Sequence, residues 1–232
     1  MTEGENMLLI RNYDPWCHLS EAEYADLKVQ HHVIDVPKGE YIYFEAYNHN
    51  KIYFVKEGYI KIGYIDHEGR EKIKEIIRKG ELFGQFSLEK SNLHGEFAQA
   101  YKNDVSLCAF TIGDFEKLLK NRPDLALKYS KQVGAKLRNI ENRLVNLLNK
   151  DVKTRLIHFL WQLVEQNLVE NTAEGFCMPN YLTHEDIASL IGSSRQTVTT
   201  MINELETEGI LSFNRQEICF LDVKKLQKRV EL

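Results

Sequence analysis

Residues 182–205 constrain the fold of this chain more than any other segment. Apolar residues recur at helical spacing on both sides of Gly192, which predicts two short helices joined by a tight turn. Thr183 is placed to cap the first helix, with Asp186 three residues later, and Ser194 is placed to cap the second. Gly192 suits the left-handed conformation that ends a helix. The pattern is typical of a helix-turn-helix, which lays its second helix in the DNA major groove.

The outer face of the second predicted helix carries side chains that can read DNA. Arginine bonds bidentately to guanine and glutamine to adenine, so Arg195 and Gln196 are candidate base contacts. Hydroxyl groups and the helix N-terminus can bind phosphates. No carboxylate lies between Asp186 and Glu204, so this face is free of acidic residues although residues 151–232 are acidic overall. The predicted DNA contacts are Ser193, Ser194, Arg195, Gln196, Thr197, Thr199, Thr200 and Arg215.

Two apolar segments follow, within residues 210–221, around the polar tip Asn214-Arg215-Gln216. The pattern predicts a β-hairpin, which behind a helix-turn-helix forms a wing. Arg215 at the tip is a candidate phosphate contact. The alternative is an ordinary helical hairpin with a surface arginine, but the coincidence of caps, turn and wing favours DNA binding.

A long helix is predicted from Asp124 to about Asn149, because no proline interrupts this stretch. Its apolar residues are alternately four and three positions apart, which is the seam of a coiled coil between identical helices. The alternative is a single helix that packs on its own β domain. The predicted dimer interface consists of Val133, Leu137, Ile140, Leu144 and Leu147.

The N-terminal part, from about residue 20 to 113, is rich in β-branched and aromatic residues with glycines between them. Short strands at this spacing predict an antiparallel barrel or roll, with a hairpin tip at residues 66–69. A further amphipathic helix is predicted from Arg155 to Gln166.

Composition narrows the class of protein. The net charge of −4 argues against general electrostatic affinity for nucleic acid. No apolar run of about 18 residues and no secretory signal is present, so we expect no membrane span. The four cysteines are scattered and form no CxxC pair. A reduced, cytoplasmic protein is the simplest interpretation.

Over nearly its whole length the chain resembles the Crp/Fnr family of bacterial transcription regulators. The resemblance rests on Ile187-Ala-x-x-Ile-Gly-x-Ser-Arg-x-Thr-Val198, on Asp151-Val-x-x-Arg-Leu156 and on Gly80-Glu-Leu-Phe-Gly84. It implies an α+β fold with a cyclic-nucleotide-binding-type β-roll in residues 1–121, a dimerisation helix in 122–150 and a winged helix-turn-helix in 151–232. It also implies a homodimer on a pseudo-palindromic site in double-stranded DNA, and contacts with RNA polymerase.

The chain departs from the family at two of three base-reading positions. Members have an arginine that matches Arg195, a glutamate that falls on Gln196 and often an arginine that falls on Thr200. Glutamate accepts from cytosine, whereas glutamine pairs best with adenine, and threonine cannot form the arginine–guanine fork. We therefore expect a half-site unlike that of the catabolite activator protein.

The resemblance also locates an effector pocket whose chemistry is altered here. The family's ribose-binding glycine–glutamate pair falls on Gly84 and Gln85, and its phosphate-binding arginine–serine pair falls near Phe97 and Ala98. A buried phosphate needs a cation or several donors, so we expect no cyclic AMP binding. We expect the chain either to bind another ligand or to be active without any ligand. The candidate effector residues are Gly84, Gln85, Phe86, Tyr101, Ile140 and Glu141.

No cofactor is assigned from the sequence. An iron–sulfur centre needs several thiolates, and Cys17 is the one cysteine near the N-terminus. A haem needs a single axial His or Cys, so this alternative stays open. The histidines form no metal-binding pattern, since the adjacent His31 and His32 would face opposite sides of a strand.

Two alternatives to a regulator are a cupin-like metal enzyme and a protein-interaction module. The first lacks an HxH-type ligand spacing, and the chain also has no GxSxG elbow and no P-loop. The second leaves the DNA-reading face without a role. We expect no catalytic residues, no metal ligands and no enzymatic activity.

Overall fold

The computed structural model describes residues 31–44, 51–84, 96–165, 170–172 and 175–230. The chain divides into two compact units, residues 1–136 and residues 137–232, and the division falls within one long helix.

Antiparallel strands build the first unit, as the β-rich sequence predicts. They form one sheet in the order β1-β6-β3-β4, in which β2 also pairs with β6 and β5 with β3. The β3–β4 hairpin turns at the predicted tip, where the Gly69 amide donates to the Asp66 carbonyl at 2.9 Å. The strands are β1 His31–Val36, β2 Tyr41–Phe44, β3 Lys51–Ile65, β4 Glu71–Arg78, β5 Leu82–Gly84 and β6 Glu96–Thr111.

Stacked aromatic rings fill the interior of this β-roll. The Tyr53 and Phe83 rings lie 4.9 Å apart, and the Tyr43 ring stacks on Phe83 at 6.4 Å. The Tyr43 hydroxyl donates to the Glu96 carboxylate at 3.1 Å, so its buried polar atom is satisfied. Burial raises the pKa of Tyr53 to about 12, which keeps that phenol neutral. The three rings pack within a core whose other buried side chains are aliphatic.

Two helices follow β6. In α1, Ile112–Asn121, the Thr111 hydroxyl caps the helix by accepting from the Asp114 amide at 3.1 Å. In α2, Pro123–Asn149, a proline stands at the first helical position, where its missing N–H has no helical partner to lose. Leu125 is the buried residue of α2, Tyr129 packs partly against the same core, and the apolar residues from Val133 onward are exposed. The predicted long helix is confirmed.

The described residues of the second unit form four further helices and a second sheet. Its helices are α3 Val152–Glu165, α4 His184–Ile191, α5 Arg195–Thr207 and α6 Val223–Val230. Its strands are β7 Glu170–Thr172, β8 Gly175–Pro179, β9 Leu211–Phe213 and β10 Glu217–Phe220, in the order β7-β8-β10-β9. The predicted helix-turn-helix and wing are both present. Nothing in the sequence predicted β7, β8 or α6.

The structure departs from the expectation that all the cysteines are reduced. β8 pairs antiparallel with β10 in a register that sets Cys177 opposite Cys219, and the two sulfurs form a disulfide. The two residues are 42 positions apart, so no local spacing pattern could reveal the pair. Cys108 is a buried thiol, and Cys17 lies outside the described residues.

None of the described helices combines the length and the apolar character that crossing a bilayer requires.

Candidate nucleic-acid interface

Helix α4 begins and ends as its sequence predicts. At its start, the Thr183 hydroxyl accepts from the Asp186 amide at 3.1 Å and the Asp186 carboxylate accepts from the Thr183 amide at 2.7 Å. This reciprocal capping box satisfies two backbone donors that the first turn leaves unpaired. At its end, Gly192 adopts a left-handed φ of 67°, and a Cβ there would lie 2.9 Å from the Leu147 side chain. The left-handed conformation of the turn therefore favours glycine, whereas the Leu147 side chain could move aside.

Helix α5 starts on a polar cap at the surface. The Ser194 hydroxyl accepts from the Thr197 amide at 3.1 Å, and the Ser194 and Thr197 hydroxyl oxygens are 2.8 Å apart. These two predicted phosphate contacts therefore also hold the first turn of the helix. The inner face of α5 is buried through Val198, Ile202 and Leu205.

The predicted reading residues lie on the outer face of α5. Arg195, Gln196 and Thr200 are exposed, whereas Thr199 is half-buried. Within the described part of the chain, no carboxylate forms an ion pair with the Arg195 guanidinium, so its donors face solvent. The Thr200 hydroxyl donates to the Gln196 carbonyl at 3.1 Å. This face combines an exposed cation, an amide and the exposed methyl group of a threonine.

Arg155 braces the turn from below, a role that sequence analysis did not assign to it. Its guanidinium donates to the carbonyls of Ile191 at 2.8 Å and Gly192 at 3.0 Å, and to that of Lys150 at 2.8 Å. These are carbonyls at helix C-termini, which lack intrahelical partners. One planar side chain with several donors thus ties α3, the end of α2 and the end of α4 together. The arginine was visible in the motif Asp151-Val-x-x-Arg-Leu156, but its acceptors lie 36 or more residues away, apart from Lys150.

His184 connects three elements of the interface, and sequence analysis missed it as well. Its Nδ1 lies 2.8 Å from the Thr199 hydroxyl, which donates to the Arg195 carbonyl at 2.9 Å. Because the hydroxyl proton is used there, Nδ1 carries the hydrogen and donates. The imidazole also packs on the Phe213 ring of β9, with centroids 4.9 Å apart. His184 therefore fixes Thr199 and contacts the wing at once.

The electrostatic surroundings of His184 favour its neutral form. Burial lowers the pKa of the imidazole below its ordinary value of 6.5, and the Arg195 guanidinium lowers it further. Glu206 acts in the opposite direction and more weakly. The Glu206 carboxylate also accepts from the Phe213 amide at 2.8 Å, so α5 and β9 are held together on both sides of this ring.

The wing tip is ordered by amide side chains. The Asn214 carboxamide oxygen accepts from the amides of Gln216 at 2.8 Å and Glu217 at 2.9 Å, an Asx-type turn. Asn180, just after β8, donates through its backbone to the Gln216 carbonyl at 2.8 Å. Arg215 is exposed on this braced tip. Its position suits a phosphate contact, which stays a prediction.

The predicted effector residues belong to different parts of the chain. Gly84 and the half-buried Tyr101 lie in the first unit, while Ile140 and Glu141 are exposed on the part of α2 that belongs to the second. Gln85 and Phe86 lie outside the described residues. Gly84 has a φ of 105°, and a Cβ there would lie 2.5 Å from the Lys51 carbonyl oxygen. Close packing of β5 on β3 thus demands this glycine whatever the pocket binds, and the pocket itself stays a prediction.

The predicted dimer seam is exposed along α2. Its five apolar side chains are between 37% and 56% exposed, and Leu148 beside them is 74% exposed. The seam consists of Val133, Leu137, Ile140, Leu144 and Leu147.

Comparisons with known proteins agree with both halves of this architecture. The sequence model of the cyclic nucleotide-binding domain matches residues 33–122, and that of the Crp-like helix-turn-helix domain matches residues 154–229. The global nitrogen regulator of Nostoc sp. is 28% identical over 178 residues, which cover 76% of this chain and 79% of the relative. The CRP-like cAMP-activated global transcriptional regulator of Mycobacterium tuberculosis is 25% identical, over 88% of this chain and 91% of its own length.

Solved structures agree as well. A double mutant of CooA from Carboxydothermus hydrogenoformans superposes with a TM-score of 0.75 at 25% identity, covering 90% of this chain and 91% of CooA. A Crp/Fnr-family transcriptional regulator from Thermus thermophilus superposes with a TM-score of 0.61 at 28% identity, covering 87% of this chain and 99% of that protein.

A β-roll, a long helix and a braced winged helix-turn-helix define a DNA-binding transcription regulator. The chain belongs to the Crp/Fnr family. Its relatives are regulators, so the prediction that it is no enzyme is confirmed and the cupin-like alternative is wrong.

Proposed function

We propose that this regulator is a cytoplasmic homodimer that binds a pseudo-palindromic site in double-stranded DNA and acts on transcription through RNA polymerase. The observation that carries the proposal is the outer face of α5. Arg195 and Gln196 are exposed there without a neighbouring carboxylate. Arg155 bonds to the turn that precedes the helix, and His184 bonds to Thr199 on the helix itself. Because the backbone that carries these side chains is already ordered, binding to base edges costs less entropy.

The exposed seam of α2 supports the dimer. Apolar side chains that recur every three and four residues form a stripe that water covers unless a second helix packs there. Removing such a stripe from water stabilises an interface by about 25 cal/mol per Å² of apolar surface. A two-fold dimer places its reading helices about 34 Å apart, which is one turn of duplex. Such spacing requires a site with inverted half-sites.

The reading residues support a half-site that differs from that of the catabolite activator protein. Arg195 is suited to a guanine and Gln196 to an adenine. Thr200 offers a methyl group to thymine or a hydroxyl to phosphate. Ser193, Ser194 and Thr197 supply hydroxyls near the helix N-terminus, where the backbone amides also attract phosphate. The predicted contact Thr199 has its hydroxyl engaged by His184 and by the Arg195 carbonyl.

We propose further that the signal is not cyclic AMP. Phe97 and Ala98, which fall near the family's phosphate-binding pair, are fully buried in the described sheet. No arginine occurs between Gly80 and Gly113 to offset a buried phosphate. A different ligand on the predicted effector residues, or activity without a ligand, fits this lack of a phosphate-binding cation better than cyclic AMP does.

Selection of bound sequences from a pool of random duplexes tests the proposal. We expect enrichment of an inverted repeat whose half-site contains a guanine and an adenine next to each other. Arg195→Ala should relax the preference at the guanine, whereas Lys224→Ala on α6, which removes an equal charge, should leave the selected sequence unchanged. Recovery of no preferred sequence, or of the catabolite activator half-site unchanged, would refute this part of the proposal.

Calorimetric titration with cyclic AMP tests the second part. We expect no heat of binding at millimolar nucleotide and no rise in the unfolding temperature. Saturable binding with one site per chain would contradict it.

A further inference from the structure

The sheet of the winged domain brings three potential metal ligands together. Cys177 on β8 faces Cys219 on β10, with their Cα atoms 4.0 Å apart. Glu217 precedes Cys219 by two residues on the same strand, so both side chains project from the same face of the sheet. Both sulfurs and a Glu217 carboxylate oxygen lie within 4.8 Å of one another.

The three side chains differ in exposure in a way that suits a site at the edge of a core. Cys177 is 8% exposed and Cys219 is 2% exposed, whereas Glu217 is more accessible. Within the described residues, no hydrogen bond or ion pair occupies the Glu217 carboxylate. Two shielded sulfurs and one accessible carboxylate leave room for water as a further ligand on the solvent side.

The cytoplasmic location proposed above makes the reduced form of Cys177 and Cys219 relevant. Cytoplasmic thiols are kept reduced, and paired cysteines in such proteins are more often metal-binding or redox-active than structural. Zinc is bound by thiolate sulfur and by carboxylate oxygen in tetrahedral sites, and a three-ligand set keeps one position for water. Two thiolates and a carboxylate are therefore a suitable ligand set for a soft divalent cation.

We propose that Cys177, Cys219 and Glu217, when the cysteines are reduced, form a site for a soft divalent cation such as zinc, and that disulfide formation and metal binding exclude each other. The inference rests on the proposed function in one respect, namely the cytoplasmic location that keeps the two thiols reduced. It adds a metal and thiol input within the DNA-binding unit, separate from any ligand of the β-roll.

The two states exchange through a balanced reaction. Metal binding releases the two thiol protons to solvent as the thiolates take the cation. A peroxide oxidises the bound thiolates by two electrons, so the S–S bond forms while the peroxide O–O bond breaks. With hydrogen peroxide and two protons from solvent, the products are the disulfide, the free cation and two waters.

The location of the site explains how a bound cation would affect the contact between the wing and DNA. Glu217 closes the wing tip, because its amide donates to the Asn214 carboxamide at 2.9 Å and its carbonyl accepts from the Asn214 amide at 3.1 Å. Arg215 stands inside that turn. A cation held by Glu217 and both sulfurs ties the tip to β8 through different atoms than the disulfide does. The wing would therefore contact phosphates differently in the two states.

The experiment uses the full chain with Cys17 and Cys108 replaced by serine, so that the only thiols are those of Cys177 and Cys219. The protein is reduced anaerobically with a phosphine, freed of reductant and titrated with zinc against a chromophoric chelator. We expect one zinc per chain, and with cobalt(II) we expect a thiolate-to-metal charge-transfer band. Hydrogen peroxide should release the zinc and lower the mass by two hydrogens.

Three variants separate this site from adventitious binding. Cys177→Ser and Cys219→Ser should each abolish the cobalt band. Glu217→Gln keeps both thiols and should weaken zinc binding by at least about tenfold, whereas Glu185→Gln on α4 should not change it. Circular dichroism of each reduced variant verifies the fold, and Glu217→Gln decides the matter if a serine variant does not fold.

Absence of stoichiometric zinc from the reduced protein would overturn the inference, as would affinity that is unchanged in Glu217→Gln. None of these measurements contains DNA. A failure of the metal site is therefore distinguishable from a failure of the proposed DNA binding, which the sequence selection tests by itself.

Discussion

The β-roll and the winged helix-turn-helix differ in how far their structure depends on polar side chains. The interior of the β-roll packs aliphatic side chains around the rings of Tyr43, Tyr53 and Phe83. In the winged domain, Arg155 and His184 instead bond to atoms of the turn and of the reading helix.

The difference follows from what each unit must conserve physically. A β-roll keeps its fold as long as apolar volume and strand register are kept, so polar ligand contacts can be replaced by apolar residues without loss of the core. A DNA-reading helix must hold particular donors at fixed positions, and this requires satisfied polar contacts behind it. We infer that the supporting framework of the DNA-reading helix follows the family pattern more closely than the effector pocket does.

The largest loss of DNA affinity should come from substitutions in the apolar seam of α2, which we propose brings two reading helices together. In Leu137→Asp with Leu144→Asp, two carboxylates would face their symmetry mates in an apolar interface. We expect a monomer in sedimentation experiments and a loss of affinity for the palindromic duplex of at least about 100-fold, because two linked contacts become one.

The matched control is Asn139→Asp with Asn142→Asp, which adds equal charge at exposed positions of α2 outside the seam. This variant should remain dimeric. A dimer that survives in the leucine variant would show that the interface lies elsewhere.

The next effect distinguishes base reading from phosphate contact within the winged domain. Arg195→Ala should cost about 1–3 kcal/mol of binding to the selected site, or about 5-fold to 150-fold, with little change for unrelated duplexes. Arg215→Ala should weaken binding to all duplexes alike and reduce the salt slope by about one. Fluorescence anisotropy on both duplexes over a series of salt concentrations gives these numbers. Equal losses on every sequence for both variants would contradict the assignment.

A smaller effect compares the two units through matched helix caps. Thr111 and Thr183 each accept from an Asp amide three residues later, both at 3.1 Å. Thr111→Ala and Thr183→Ala should each cost about 1 kcal/mol of unfolding free energy. Hydrogen exchange should localise the first loss to the β-roll and the second to the winged domain. Protection lost in both units from either change would mean that the units unfold together.

The smallest effect is a pH dependence that belongs to the winged domain. The pKa of His184 is lowered in the folded state, so the unfolded chain takes up a proton first as the pH falls. The free energy of unfolding should therefore be constant above the ordinary value of 6.5 and decrease as the pH falls from there towards the folded pKa.

His158 on α3 has a pKa lowered mainly by burial and is the matched histidine. Denaturant unfolding between about pH 7 and pH 5.5 should show a shallower pH dependence in His184→Gln than in the parent, and His158→Gln should remove a separate portion of it. Identical slopes in His184→Gln and the parent would refute the assignment to His184.

Local rules were sufficient for the helix-turn-helix. Thr183, Asp186, Gly192 and Ser194 act as their spacing predicts, because a cap or a left-handed turn involves atoms only three or four residues apart. The long helix and the wing hairpin were predictable for the same reason, since their periodicity lies within single elements.

Contacts between distant segments were not predictable. The register of β8 against β10 joins Cys177 to Cys219, and the packing of α3 under the turn gives Arg155 its acceptors. His184 meets Thr199 and Phe213 only after two helices and a strand have packed. No single local pattern contains the partners of these side chains.

The amino-acid sequence alone thus determined the reading helix, its caps, the apolar seam and the family of the chain. Tertiary structure alone decided which groups brace that helix and which thiols meet. The physical reason is that propensity and capping act over one helical turn, whereas buried polar side chains and sulfurs find partners only where packing brings separate elements together.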